Sequence, residues 1–334
     1  MDDRFFYGGQ AVIEGVMIRG KKAVTVAVRR PNGDVAVDTR PLPAFYTGRL
    51  RRVPLIRGIV VLVEALVLGI KSLLYSANVS LEEEEEKIGG TLIGVTMAVS
   101  MAAAVAVFFL IPMFVTRLFN IDDTFLFHLA EGLIRLTIFI LYLWAISLMK
   151  DIRRVFAYHG AEHRVVNAHE AGAPLTTEGV RAYSTTHVRC GSSFLFIVLV
   201  IAILVFALVG LQSVWIMVLS RIVLVPVVAA LGYEAVYFGA RHTGNPVVRV
   251  LLKPGLLMQA LSTRKPDDDQ LEVALAAVNG AIEADRAEVE PAVVAADAAD
   301  VADDADAAAS RDTPSGDAHE ASSGDEAPAD DADA

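Results

Sequence analysis

The residues best suited to catalysis or metal binding are concentrated in one segment of the chain, residues 150–192. This segment holds four of the seven histidines and the only cysteine. It reads YHGAEH at 158–163, NAHE at 167–170 and HVRC at 187–190. Imidazole, thiolate and carboxylate groups are the usual protein ligands of zinc and similar divalent ions. The segment therefore predicts a divalent metal site, with zinc as the preferred ion.

The first part of this segment has the pattern of a single helix. Residues 153–171 contain no proline, and Gly172 and Pro174 are typical of a helix end. His159 and His163 are four residues apart, so their imidazoles lie one turn apart on the same helix face. Two imidazoles in this arrangement can bind one metal ion.

Two carboxylates accompany these histidines. Glu170 falls on the same face as His159 and His163, where it can act as a ligand or orient an imidazole. Glu162 completes the spacing H-x-x-E-H of one metallopeptidase class, in which the glutamate is the general base. The alternative interpretation is a polar helix face at the membrane surface.

His187 and Cys190 add a nitrogen and a sulfur donor two residues apart, which is a common zinc arrangement. We expect Ser192 and Ser193 to cap the helix that follows. A helix N-terminus favours the thiolate form of Cys190, the form that binds metal or attacks as a nucleophile. A cysteine–histidine hydrolase and a buried, inert thiol are the alternatives.

The rest of the chain has the composition of an integral membrane protein. Hydrophobic residues make up 54% of it, and charged residues 21%. Segments of about 20 apolar residues can cross a bilayer as helices. We expect four such spans, at 88–116, 124–149, 194–209 and 214–233. The last two are predicted to form a tight hairpin at 210–213, and one long helix is the alternative.

Some predicted spans contain polar residues. His128, Glu131 and Arg135 lie in the second span, and Arg221 lies in the fourth. Charges inside a membrane are costly and often functional. Glu131 and Arg135, four residues apart, can also form a structural ion pair on one helix face. Transport is a further hypothesis, but four spans would need to oligomerise to form a pathway.

Lys and Arg counts predict the orientation, since these residues are enriched in cytoplasmic loops. Residues 1–87 contain 13 of them, 150–192 contain six and 235–282 contain five. The connection 117–123 contains one, and the turn 210–213 contains none. We therefore expect a multi-pass protein of the inner (cytoplasmic) membrane, with both termini and the histidine-rich segment in the cytoplasm.

The N-terminal region is polar enough to lie outside the membrane. Residues 11–40 are rich in β-branched residues that alternate weakly, and Asn32-Gly33 separates two such runs, which indicates a hairpin. Residues 55–77 are apolar but carry Arg57, Glu64 and Lys71 near one face. That pattern predicts an amphipathic helix on the membrane surface.

Two further predictions concern acidic segments. Ser80 and Glu83 fit a capping box at the start of the first span, with 82–86 as a solvated acidic turn. Residues 283–334 carry 17 acidic and two basic residues, so the body of the chain is mildly basic. This tail has too few large apolar residues to form a core, and we expect it to be disordered.

These motifs resemble those of the YqhQ family of bacterial membrane proteins, from about Gly8 to Val278. The resemblance is carried by GGQAVIEGVM at 8–17, YHGAEH at 158–163, HVRCGSSF at 187–194, and Asn245-Pro246, Pro254-Gly255 and Pro266-Asp267. This chain has Val188 and Ser192 where the family usually has Pro and Thr. The family is one of unknown function, and the resemblance implies a metal-dependent enzyme without naming a substrate. Gln10 and Glu14 of the first motif, and Glu234, Arg241 and His242, are further candidates for the site.

The sequence thus predicts a mainly α-helical membrane protein with about four spans and a small N-terminal β element. The expected divisions are a β element at 1–50, a surface helix at 51–87, spans at 88–149, a site loop at 150–192, spans at 193–240, a C-terminal segment with a helix at 241–283, and the tail at 284–334. We expect a metal-dependent enzyme, hydrolytic in type, with membrane lipid as a partner and no nucleic acid. The predicted metal ligands are His159, His163, Glu170, His187 and Cys190, and the predicted base is Glu162. The alternatives are a scaffold with a structural metal and a small transporter.

Overall fold

A computed structural model of the protein describes residues 5–81, 90–210, 213–242 and 244–287. The four strands are β1 (Gly8–Val12), β2 (Gly15–Arg19), β3 (Ala23–Arg29) and β4 (Val35–Pro41). The helices are α1 (Ala44–Thr47), α2 (Ile56–Ser80), α3 (Gly90–Val105), α4 (Ile111–Arg117), α5 (Thr124–Ile146), α6 (Lys150–Glu170), α7 (Thr177–Arg181), α8 (Gly191–Val209), α9 (Val214–Arg241), α10 (Pro246–Ser262) and α11 (Asp268–Arg286). The predicted capping box at Glu83, the acidic turn and the tail beyond residue 287 lie outside the described residues.

The strands form one antiparallel sheet in the order β1-β2-β3-β4. The predicted hairpin is confirmed: β3 and β4 pair, and Gly33 in their turn has a φ of 94°. The sheet also extends further toward the N-terminus than predicted. Residues 8–19 form a second hairpin, with Glu14 at a φ of 51° in its turn.

Each face of the sheet packs against helices, because alternate side chains of a strand point to opposite sides. Val16, Ile18 and Ala27 lie on one face, in a core shared with α6 and α11. Met17 and Val26 lie on the other face, in a core shared with α2. The sheet is therefore the middle layer between α2 and the α6–α11 pair.

Among the described residues, five helical segments are long and apolar enough to cross a membrane, one more than the four predicted. They are Ile56–Ser80, Gly94–Arg117, Thr124–Ile146, Gly191–Val209 and Val214–Arg241. The second of these is continuous through a π-helical turn at Ala106–Leu110, between α3 and α4. The fifth candidate is α2, which the sequence assigned to the membrane surface. Its length and composition alone also suit a span, since only three of its residues are charged.

Two of the three charged residues of α2 contact other parts of the protein. Glu64 is buried and accepts a hydrogen bond from Arg19 Nε at 2.8 Å, and it also pairs with Arg51. Arg57 pairs with Glu234 of α9. Large apolar side chains of α2 are exposed instead, namely Ile56, Ile59, Val63, Leu66, Val67, Leu73 and Leu74. Helix α2 thus turns two of its three charges toward the protein and apolar groups outward.

Helices α8 and α9 pack against each other along an antiparallel hairpin, as predicted. Its turn contains Gly210, which has a φ of 79°, and Ser213, the N-cap residue of α9. Gly232 allows a close approach, since a Cβ there would lie 2.6 Å from Val198.

The C-terminal segment contains two helices where one was predicted. Of these, α10 packs on α8, and α11 packs on the sheet and α6.

The polar residues of α5 and α9 meet inside this group of apolar helices. Glu131 accepts hydrogen bonds from Arg135 Nη2 at 2.6 Å, from Arg221 Nη2 at 2.5 Å and, at 3.1 Å, from His128 Nδ1. Arg135 Nε also donates to the carbonyl of Phe108, within the π-helical turn. All four side chains are buried. One carboxylate therefore satisfies two guanidinium groups on different helices, which is how a structural ion-pair network is built.

Replacing Glu131 by Gln should strongly destabilise the protein. The amide keeps the shape of the carboxylate but leaves two buried guanidinium groups without a counter-charge, and breaking such a buried pair costs about 3–5 kcal/mol. We expect a marked decrease in the thermal unfolding temperature in detergent. Thr137→Val on the exposed side of the same helix is the control. An unchanged unfolding temperature for Glu131→Gln would contradict a structural role.

Candidate metal centre

Three of the predicted ligands come together in the structure. The donor atoms of His159, His163 and Cys190 all lie within 4.8 Å of one another. Helix α6 supplies the two imidazoles, four residues apart, and their ring centroids are 4.4 Å apart. Cys190, immediately before α8, supplies the sulfur from a different part of the fold. Two nitrogens and one sulfur at this spacing can all reach a single ion.

Backbone carbonyls fix the tautomer of both imidazoles. His159 Nδ1 lies 2.8 Å from the carbonyl oxygen of Ser262, and His163 Nδ1 lies 2.7 Å from that of Thr185. A carbonyl oxygen only accepts hydrogen bonds, so each Nδ1 carries the proton. Each Nε2 is then left as the lone-pair donor. This second contact on the far ring nitrogen is typical of histidines that bind metal.

Cys190 is itself the N-cap residue of α8, and no side chain caps this helix. The prediction that Ser192 and Ser193 cap it is therefore wrong, because the helix begins one residue earlier than Ser192, at Gly191. The Cys190 sulfur is 3.2 Å from His159 Nε2 and 3.0 Å from Ser192 Oγ.

Glu162 is almost completely buried, with a carboxylate oxygen 3.4 Å from His163 Nε2. It is held there by β1. A Cβ on Gly9 would lie 2.9 Å from Glu162 Cγ and 2.4 Å from the carbonyl oxygen of Met17, so only glycine fits. The carboxylate consequently lies beside the donor atoms, within reach of a ligand on them.

His187 and Glu170 lie beside the three-donor group without joining it. The rings of His187 and His163 are 5.9 Å apart. Glu170 pairs with Arg189 and lies 3.5 Å from His187 Nε2. Burial lowers the pKa of His187, so this imidazole is held neutral. Burial also lowers the pKa of Arg189 to about 10. Glu170 thus pairs with Arg189 and contacts an imidazole that is not one of the three donors.

Helix α10 contributes residues that the sequence did not single out. Gln259 is fully buried; its Oε1 accepts from the His187 N–H, and its Nε2 donates to the His187 carbonyl and to Ser193 Oγ. It therefore clamps the loop that carries Cys190. Ser262 at the end of α10 supplies the carbonyl that orients His159. A lone amide within an otherwise apolar run was the only signal for Gln259 in the sequence.

Gly160 explains why this stretch of α6 contains a glycine between the two histidines. A Cβ at that position would lie 2.0 Å from the carbonyl oxygen of Arg264. The Arg264 N–H also donates a hydrogen bond to the carbonyl oxygen of Phe156 in α6, at 2.8 Å. The segment after α10 thus packs directly on the α6 backbone.

The other candidate residues are placed elsewhere. Gln10 points at Gly69 of α2, and Glu14 pairs with Arg154. Glu234 pairs with Arg57, and Arg241 stacks on a tyrosine ring of α9. His242 Nδ1 contacts the carbonyl of the residue four positions earlier. None of these five belongs to the three-donor group.

Comparison with known proteins identifies relatives but no activity. Residues 53–284 match the family described as "Protein of unknown function (DUF1385)". The "Uncharacterized protein YqhQ" of Bacillus subtilis (strain 168) is 35% identical over 293 residues, which cover 82% of this chain and 91% of the relative. No solved structure matches the chain. The expected resemblance is confirmed, whereas these descriptions give no support for a metal or an enzymatic activity.

Gly160→Ala should destabilise the protein, because the new methyl group forces α6 away from Arg264. Overpacking of this kind costs about 1–3 kcal/mol. We expect a lower thermal unfolding temperature in detergent. The control is Gly94→Ala, another helical glycine, where a Cβ meets nothing within 4 Å. Equal stability of the two variants would show that the contact with Arg264 is not restrictive.

Proposed function

We propose that the chain, which belongs to the DUF1385 family of proteins of unknown function, is a metal-dependent enzyme, hydrolytic in type, with its site at the cytoplasmic face of the membrane. The observation that carries the proposal is the convergence of the His159, His163 and Cys190 donor atoms to within 4.8 Å. Three protein ligands are the usual number in catalytic zinc sites, which keep a further position for water or substrate.

The chemistry of the donor set fits a zinc-like ion. Both imidazoles present Nε2, and the cysteine lies at the N-terminus of α8 with its sulfur 3.2 Å from His159 Nε2. An ion held there would act as a Lewis acid toward a water or a carbonyl or phosphoryl oxygen. Glu162, with its carboxylate oxygen 3.4 Å from His163 Nε2, is the group in this site that can accept a proton.

We also propose that four helices cross the membrane and that α2 lies on its surface. The sheet packs against α6, so both lie on the same side of the bilayer. The chain between them must then cross an even number of times. The continuous helix 94–117 and α5 supply two crossings, and a crossing by α2 would make three. The outward apolar side chains of α2 suit a helix lying between the sheet and lipid.

Reporter fusions can test this topology. Fusions at Asp122 and Ser213 should report the outside, and fusions at Leu81, Ala173 and Ala284 should report the cytoplasm. Leu81 follows α2, so its reporter distinguishes a surface helix from a span. An outside signal at Leu81 would show that α2 crosses. An outside signal at Ala173 would move the histidine cluster to the other side of the membrane.

A second candidate function has its own geometric support. Cys190 Sγ lies 3.2 Å from His159 Nε2, and the other ring nitrogen of His159 is fixed by the Ser262 carbonyl. A thiol, an imidazole base and a group that orients the base are the parts of a cysteine–histidine hydrolase. Two observations favour the metal. The thiol is buried, and a cysteine–histidine pair would leave the neighbouring Glu162 and His163 without a role.

Two non-enzymatic functions are the remaining alternatives. A scaffold with a structural metal would need a fourth protein ligand, and His187 is the nearest imidazole. A transporter would use the intramembrane group around Glu131, but the hydrogen bonds this carboxylate accepts from three side chains favour a structural network. Homo-oligomerisation would be required for a pathway through four spans.

His163→Ala should remove most of the metal from the purified protein without preventing membrane insertion, because it deletes one of three ligands. Glu162→Gln should retain the metal, since a general base is not a ligand, while activity falls about 10²–10⁴-fold. Elemental analysis of protein purified without chelator measures the metal content. His169→Ala on the same helix is the matched control, because its ring packs on Tyr7 outside the donor group.

The outcomes separate the hypotheses. Loss of metal from Glu162→Gln, as complete as from His163→Ala, would make Glu162 a ligand and remove the base from the mechanism. Wild-type protein without stoichiometric metal would end the metal proposal. Activity that survives chelation but is abolished by Cys190→Ala would establish the cysteine–histidine alternative instead.

A further inference from the structure

A second polar site lies where the sheet, α2 and α9 meet, away from the histidine cluster. It is a cavity of about 520 Å³. Its lining residues are Phe5, Arg19, Lys21, Lys22, Leu42, Tyr46, Thr47, Gly48, Arg51, Arg57, Tyr233 and Tyr237. Five of these are basic and none is acidic, although the whole chain carries a net charge of −11. We call this feature the basic cavity.

Carboxylates behind the wall hold its guanidinium groups in place. Glu64 is buried and bonds to both Arg19 and Arg51. Glu234 accepts from Arg57 Nε at 2.7 Å. With Asp285, which lies beside the two lysines, three carboxylates stand against five basic residues, so the surroundings of the cavity keep a net positive charge. The ion pairs also preorganise the arginines.

The two lysines are the exposed part of this positive charge. Asp285 accepts hydrogen bonds from their backbone amides, at 2.6 Å for Lys21 and 2.7 Å for Lys22. Exposed ammonium groups beside fixed guanidinium groups suit a phosphate-bearing anion.

Exposed apolar side chains adjoin the lining residues in the chain, and we call them the apolar rim. They are Phe45, Leu50, Val53, Leu55 and Ile56, between the sheet and the first turn of α2. Arg57, which also lines the cavity, lies 3.9 Å from the centre of the Tyr237 ring. Tyrosine and basic residues concentrate at membrane interfaces, where one end of the side chain is wet and the other is apolar. The cavity thus combines a cationic interior with an edge suited to acyl chains.

We propose that the basic cavity binds the headgroup of an anionic phospholipid from the cytoplasmic leaflet, with the acyl chains along the exposed apolar side chains of α2. The proposal rests on the membrane topology given above and is independent of the metal site. The apolar rim distinguishes a lipid from a soluble phosphate compound, which would gain nothing from exposed Phe45, Leu50 and Val53. A bound lipid would also tie α2 to the membrane surface.

Native mass spectrometry of the full chain in detergent tests this proposal. The protein is titrated with phosphatidylglycerol or with phosphatidylcholine of the same acyl chains. Wild type should bind one phosphatidylglycerol selectively. The double variant Lys21→Gln/Lys22→Gln should bind it about tenfold more weakly or worse, since each basic residue near anionic lipid contributes severalfold to affinity. These lysines are exposed, so folding should be preserved, and the unfolding temperature and metal content of the variant check this.

The matched control is Lys253→Gln/Lys265→Gln, which removes the same charge from exposed lysines outside the cavity. It should bind phosphatidylglycerol like wild type. Equal weakening in both double variants, or equal binding of the two lipids by wild type, would overturn the proposal. The last measurement repeats the titration in the presence of inorganic phosphate at millimolar concentration. If it displaces phosphatidylglycerol as well as an added anionic lipid does, the cavity belongs to a soluble phosphate compound and the lipid assignment is wrong.

Discussion

The packing of α6 against the edge of the sheet is the contact on which most of the structure depends. Gly9 of β1 leaves room for Glu162, and Glu14 in the adjoining turn pairs with Arg154. The two elements are separated in sequence by α2 and by the first apolar helices. Their contact is compatible only with an even number of membrane crossings between them, and it also places the Glu162 carboxylate beside the histidines.

The candidate metal centre is assembled from three distant pieces of chain by ordinary backbone contacts. The Thr185 carbonyl orients His163, and the Ser262 carbonyl orients His159. Gln259 holds the loop before Cys190 through both ends of its amide. Each residue that could bind an ion is thus held in position by a hydrogen bond to it or to its loop, as precise ligand geometry requires. The site is correspondingly sensitive to the position of α10, although α10 supplies no donor atom.

In the apolar parts of the molecule, single carboxylates each contact several donor side chains. Glu131 pairs with two arginines, one on its own helix and one on α9, and Glu64 pairs with two at the sheet face of α2. An unpaired charge in these places would be strongly unfavourable, and each of these two carboxylates has several donors. The result on α2 is an apolar outer surface next to the basic cavity. This juxtaposition is what makes a lipid ligand reasonable for that part of the protein.

Local patterns in the sequence were sufficient to predict three features of the structure. Periodicity and turn residues predicted the β3–β4 hairpin, the helix carrying His159 and His163, and the break between α8 and α9. Each depends on residues that are near one another in the sequence. The same holds for the two imidazoles, because residues four apart share a helix face.

Contacts between distant residues became known only from the fold. The fold brings Cys190 to the histidines and leaves His187 and Glu170 beside them, although Glu170 is the nearest of the three to His163 in sequence. It revealed Gln259 and Ser262, whose role lies in contacts with loops far away in the chain. It also turned two charges of α2 inward, since Glu64 finds its arginine partners on β2 and the segment after the sheet. A periodic pattern specifies that a helix has two unlike faces, but which face meets the protein depends on what packs against it.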